Sequence, residues 1–156
     1  MDIVDIARLF LFVREAGPNR GLRVEAIQHW SQGQFGDSWC AEWVTMVLDL
    51  AFQGNSPIPR QGGAQGIRDL CTANGWITDS PSVGDLYFYV DGNDHAHHVG
   101  ILTQLDPMLG IAGNTSADGT SSNGDRVAEH PITTSGCFRS GDVCCLLLGV
   151  AVATEA

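Results

Sequence analysis

The apolar residues of this chain change their spacing at Pro81, and that change restricts the fold more than any other feature. Before it they recur three and four positions apart. Ile3, Ile6, Ala7, Leu9, Phe10 and Val13 predict a helix over 3–15, closed by Gly17-Pro18. Val24, Ile27 and Trp30 mark one face of a second helix over 22–32, and residues 33–38 form a tight loop. The run 39–52 predicts a third helix with Asp37 or Ser38 as its N-cap, and a shorter one covers 64–73 before Asn74-Gly75. After Pro81 the texture is aromatic and β-branched, which predicts strands over 85–90, 98–103, 109–112, 125–129 and 143–152. The polar, glycine-rich stretch 113–124 predicts an exposed loop. Helices first and strands after imply an α+β fold with N-terminal helices on a small antiparallel sheet. Nothing in 1–156 reads as a repeat or a linker, so a single domain is expected.

Charge narrows the partners. A net charge of −10 argues against nucleic acid or an anionic membrane surface. The apolar N-terminal run is preceded by Asp2 and Asp5 rather than by basic residues, and Arg8 interrupts it. Neither a Sec-type signal nor a transmembrane segment is expected, so the chain is made in the cytoplasm. Five cysteines, two of them adjacent at Cys144-Cys145, do not suggest a secreted disulfide framework. No CxxC pair points to zinc, and neither a metal nor another cofactor is implied.

Cys40 stands apart. It falls in the first turn of the third helix, where unpaired amides and the helix dipole favour an anion and would lower a thiol pKa. The ordinary alternative is a small buried hydrophobe, so a paired base is needed to give it a chemical role. The cluster His95-Ala96-His97-His98 offers one. On an extended strand His95 and His97 share a face, and His98 points to the other. Two readings stay open: His98 takes a proton from Cys40, or His95 and His97 form an i, i+2 metal pair that lacks a distant third ligand.

These residues belong to an ordered set of motifs: D-S-W-C-A-E-W-V (37–44), P-S-V-G-D-L-Y-F-Y (81–89), H-H-V-G-I-L (97–102), A-G-N-T (112–115) and N-G-D-R-V (123–127). Together they resemble the CHAP family, the cysteine, histidine-dependent amidohydrolases/peptidases of the NlpC/P60-like superfamily, over roughly residues 5–130. The similarity is greatest to domains of phage and bacterial origin. The resemblance implies a papain-like fold, with Cys40 as nucleophile and His98 as general base. Relatives often carry a glutamate where this chain has Ala112. The resemblance therefore passes the role of orienting the histidine to Asn114, through its amide oxygen.

Further roles are drawn around that pair. The Cys40 backbone amide is the expected oxyanion donor, and Gln34, six positions earlier, is a second candidate. Glu15, Asn19 and Arg20 lie in a segment similar to one preceding the nucleophile in CHAP-like proteins, and read either as substrate contacts or as a helix-terminal turn. Trp39 reads as a cleft wall and Trp43 as core. The acidic stretch 91–94 reads as a hairpin turn, not a calcium loop. The function implied is hydrolysis of an amide in peptidoglycan peptide, as an amidase or endopeptidase. It would act on the cell wall after phage or secretion-system delivery, with an immunity or delivery partner if the chain is an effector. A catalytically degenerate binding protein and an amidase of small amide conjugates are the alternatives.

Overall fold

The computed structural model describes residues 2–118 and 123–132, together with the backbone of 144–146. Among the described residues, four helices precede six strands: α1 (Ile3–Arg8), α2 (Leu22–Trp30), α3 (Cys40–Ala51), α4 (Ala64–Ala73), β1 (Ile77–Thr78), β2 (Leu86–Val90), β3 (Ala96–Leu105), β4 (Met108–Thr115), β5 (Arg126–Pro131) and β6 (Cys144–Leu146). The strands form one antiparallel sheet in the order β1-β6-β2-β3-β4-β5. The fold is α+β, as the change of period at Pro81 requires.

Alternation along the strands divides the side chains between two faces. Leu86, Phe88, Val90, Val99, Ile101 and Ile111 join Trp39, Trp43, Val44, Val47 and Leu48 in the main core between sheet and helices. Tyr87, Tyr89, Leu102 and Ala112 form a second buried cluster on the opposite face. Helix α3 is buried over most of its circumference, which its nearly continuous apolar sequence demands.

Three expectations need correction. Helix α1 ends at Arg8 rather than running to residue 15. Beyond it, the amides of Leu9 and Phe10 bond three residues back, and Val13 O accepts from Val127 N–H, so pairing with β5 overrides the helical pattern. Trp39 holds the N-cap position of α3 without a side-chain cap. Of the two expected caps, Asp37 instead accepts from Gln34 N–H at 2.8 Å, and Ser38 accepts from Asn114 at 2.7 Å. The stretch 113–124 is not all loop: residues 113–115 belong to β4 and are buried. Strand β1 carried too little sequence to stand out. Of the strand expected over 143–152, only 144–146 lies within the described residues.

Candidate active site

The helix α3 opens with Cys40, whose residue is 4% exposed. The backbone amides of Val99, Ala41 and Cys40 act on its sulfur in the direction that favours an anion. Burial outweighs them and pushes the thiol up to about 11, with the Glu42 carboxylate adding to the rise. The expected lowering is therefore reversed. Amides at a helix end lower a thiol pKa most where water also reaches the sulfur, and here it does not.

The Val99 amide places the sulfur against the peptide that joins His98 to Val99. His98 is fully buried on β3, directly opposite Tyr89 in the register. Its ring stacks on Tyr89 with centroids 5.5 Å apart and planes 22° from parallel. Cys40 lies in the cluster on the α3 side and the His98 ring among the aromatics of the other face, so the two positions meet at the β3 backbone. Burial raises the Tyr87 hydroxyl well above its usual range, and the fields of Tyr89 and Cys40 add to that. His95 is exposed and His97 half-buried. Among the described residues, no three His, Cys, Asp or Glu side chains come together to hold a metal.

Asn114 sits in a bulge of β4 with φ +54°. Its amide nitrogen donates to Ser38 Oγ, and its buried Oδ1 accepts no hydrogen bond. It is thus tied to the loop before Cys40 and does not accept from His98. Gln34 is exposed, and its backbone is held by Asp37. Trp39 is fully buried, not a cleft wall, and its indole N–H donates to Glu15 Oε1 at 2.9 Å. Arg20 pairs with Glu25 at 2.9 Å and lies over the Phe35 ring, while Asn19 Nδ2 donates to Gly36 O. Glu15 and Asn19 line an open cavity of about 680 Å³, with Ser116, Asn123 and Asp125 across from them. Arg20 does not line it.

Two buried residues around the start of α3 escaped the sequence reading. Gln28 Nε2 donates to Asn19 O and to Asp37 O, joining the 17–20 turn to the loop before α3. Glu42, two residues after Cys40, is fully buried; its Oε2 bonds Ser31 Oγ and its Oε1 has no partner. A Cβ at Gly33 would run into the Glu42 carboxylate and come 3.0 Å from Asp37 Oδ2, so a side chain there would have to displace these acids. Burial pushes the Glu42 carboxyl up to about 7; the Ser31 bond opposes this and the Asp37 charge adds to it. A usable signal existed: Glu42 follows Cys40-Ala41 and precedes Trp43-Val44 in the first turn of a mostly apolar helix, a placement that favours an inward side.

Comparison with protein-family models, with curated proteins and with solved structures gives no match to this chain. Among the described residues, no helix is long and apolar enough to cross a membrane.

Proposed function

We propose that this chain is a papain-like cysteine hydrolase that cleaves an amide bond in bacterial cell-wall peptide, with Cys40 as nucleophile and His98 as general base. The observation that carries the reading is the Cys40 sulfur at the first residue of α3, close enough to the Val99 amide, which follows His98, to feel it. The ordered motifs around Cys40, Asp85, His98 and Asn114, similar to those of the CHAP family, supply the substrate class.

The neutral thiol dictates the form of the chemistry. Because the His98 ring lies on the sheet face away from α3, this reading requires the imidazole to reach the sulfur past the β3 backbone, by a side-chain rotation or through one water, and to take the Cys40 proton as the sulfur attacks the carbonyl carbon. The new C–S bond leaves charge on the carbonyl oxygen, which the amides at the start of α3 stabilise. The imidazolium returns its proton to the amide nitrogen, the C–N bond breaks and the amine departs. Water, deprotonated by His98, then hydrolyses the thioester and restores the thiol. Access to the wall would come through phage lysis or secretion-system delivery, with an immunity or delivery partner in the second case.

Purified sacculi test this reading. The wild-type chain should release soluble fragments, whose masses identify the bond cut. Cys40→Ala and His98→Ala should each reduce release on the order of a thousandfold or more while melting near the wild-type temperature. Undiminished release by Cys40→Ala would rule the mechanism out. The near-complete enclosure of the sulfur and the unpartnered Asn114 Oδ1 favour one second reading, a CHAP-like fold that binds wall peptide without cutting it. That reading predicts co-sedimentation with sacculi and no fragments from any variant.

A further inference from the structure

We propose that the outer face of α2 is a docking surface for an acidic protein partner, held by two guanidinium groups that aromatic rings keep in place. The inference stands apart from the catalytic reading, since neither Cys40 nor His98 enters it. Val24, Ile27 and Gln28 turn one side of α2 inward. The opposite side carries Leu22, Arg23, Ala26 and His29, all exposed, with Trp30 half-buried at its end. Leu22 is 87% exposed, and Phe12, which meets the helix at Arg23, is 59% exposed.

Each end of this face has an arginine laid over a ring. The Arg23 guanidinium sits 4.8 Å from the centre of the Phe12 ring. That of Arg60 sits 5.4 Å from the Trp30 ring and donates to Trp30 O at 2.9 Å. A third stack, Arg20 over Phe35 at 5.6 Å, borders the same helix. Arg20, like Arg8, Arg68 and Arg126, has a carboxylate partner, whereas Arg23 and Arg60 have none among the described residues. With 18 acidic residues against 8 basic ones the chain has carboxylates in surplus, yet these two arginines lie on rings instead. A stacked guanidinium still has in-plane N–H groups to fork onto a carboxylate, and stacking removes rotamer freedom that binding would otherwise cost.

Arg23 and Trp30 are seven residues apart, close to two turns, so both stacks stand on one side of the helix roughly 10 Å apart along its axis. Between them Ala26 is small enough for a second helix to approach, and Leu22 supplies an apolar anchor. The spacing fits a partner helix with carboxylates two turns apart. Charge complementarity selects an acidic partner. The excess negative charge elsewhere on the chain is screened beyond about 8 Å at physiological salt, so the local arginines decide. A helix surface of this shape suits another folded protein, while the open cavity lined by Glu15 and Asp125 lies elsewhere and carries the opposite charge. Arginine and tryptophan are also the side chains that most often dominate binding between proteins.

Fluorescence anisotropy of a labelled, alanine-based helical peptide with glutamates seven residues apart tests the surface on the full chain. At about 0.15 M salt the wild-type chain should bind this peptide in the micromolar range, and its glutamine counterpart about tenfold more weakly. Arg23→Ala and Arg60→Ala should each weaken binding about fivefold, and the double variant by the product of the two. Phe12→Leu, which removes the ring beneath an unchanged charge, should weaken it about threefold, a loss that charge attraction alone would not produce. Arg8→Ala, whose guanidinium is paired with Glu129, should change it less than about twofold. Melting temperatures near wild type would show that these exposed substitutions leave the fold intact. No binding of the peptide, equal binding of the glutamine counterpart, or an Arg8→Ala loss as large as that of Arg23→Ala overturns the surface. Sedimentation velocity that finds dimers dispersed by Arg23→Ala would give the face to a second copy of this chain. Displacement of the peptide by soluble wall fragments would give it to the wall, and either result overturns the partner proposed.

Discussion

Cys40 and Glu42 sit two residues apart at the start of α3, both buried and both pushed toward their neutral forms, but by different balances. On the sheet side, three backbone amides oppose the burial of Cys40 and still leave its thiol near 11. On the loop side, a single hydroxyl from Ser31 opposes the burial of Glu42, while Asp37 adds to it. The difference teaches that a helix N-terminus does not by itself make an anion. What packs over the end decides, and here β3 and the 31–38 loop both exclude water. The consequences diverge. The thiol stays protonated throughout the neutral range, whereas the Glu42 carboxyl titrates within it.

The largest expected effect falls on the sulfur. Alkylation of Cys40 by iodoacetamide at pH 7, followed by peptide mapping, should run on the order of a hundredfold slower than with a free cysteine. Its rate should rise about tenfold per pH unit toward pH 11. Rapid labelling at pH 7 would break the comparison by showing that the sulfur is ionised despite its burial.

The carboxyl gives the next effect. Its folded pKa, about 7, lies above the unfolded value, so the buried neutral form stabilises the fold fully below the ordinary carboxyl range. That contribution is lost as pH rises through about 7. Urea unfolding should therefore find Glu42→Gln more stable than wild type at pH 8, by about 3 kcal/mol, with the gap closing toward pH 4. A gap that did not depend on pH would place the charge elsewhere. The smallest effect sharpens the sheet side: Trp39→Phe, which removes the indole donor to Glu15, should cost about 1 kcal/mol at either pH. A cost that changed between pH 5 and pH 8 would show that the two ends of the site are coupled.

Much of the fold was legible because its boundaries are local. Helix α4 runs over the expected 64–73 because Gly62-Gly63 and Asn74-Gly75 bracket it. Strand β3 reaches further than its apolar run at both ends, since ladder bonds to β2 and β4 carry residues that alternation alone would leave out. Helix α1 is shorter than its periodicity because Val13 and Arg14 pair with β5, more than a hundred residues away. The site divides in the same way. The order of motifs singled out Cys40 and His98, and the Cys40 sulfur lies near the Val99 amide, one residue along from His98. Nothing local could reveal that Asn114 turns to Ser38, or that Tyr87 meets a histidine 43 positions along the chain. The burial of Glu42 was within reach, had the polarity of α3 been weighed around its whole circumference.

One glycine reaches beyond this molecule. A Cβ at Gly113 would lie 2.8 Å from the Trp39 ring and 2.9 Å from Trp43 Cβ, so β4 rests its bare backbone on the two tryptophans that flank Cys40. A distant cousin that kept this pair of indoles could place no side chain there, however far its remaining residues had drifted. That three-point fingerprint, two tryptophans bracketing a cysteine and a bare spot on the facing strand, offers a way to trace ancestry where ordinary alignment fails.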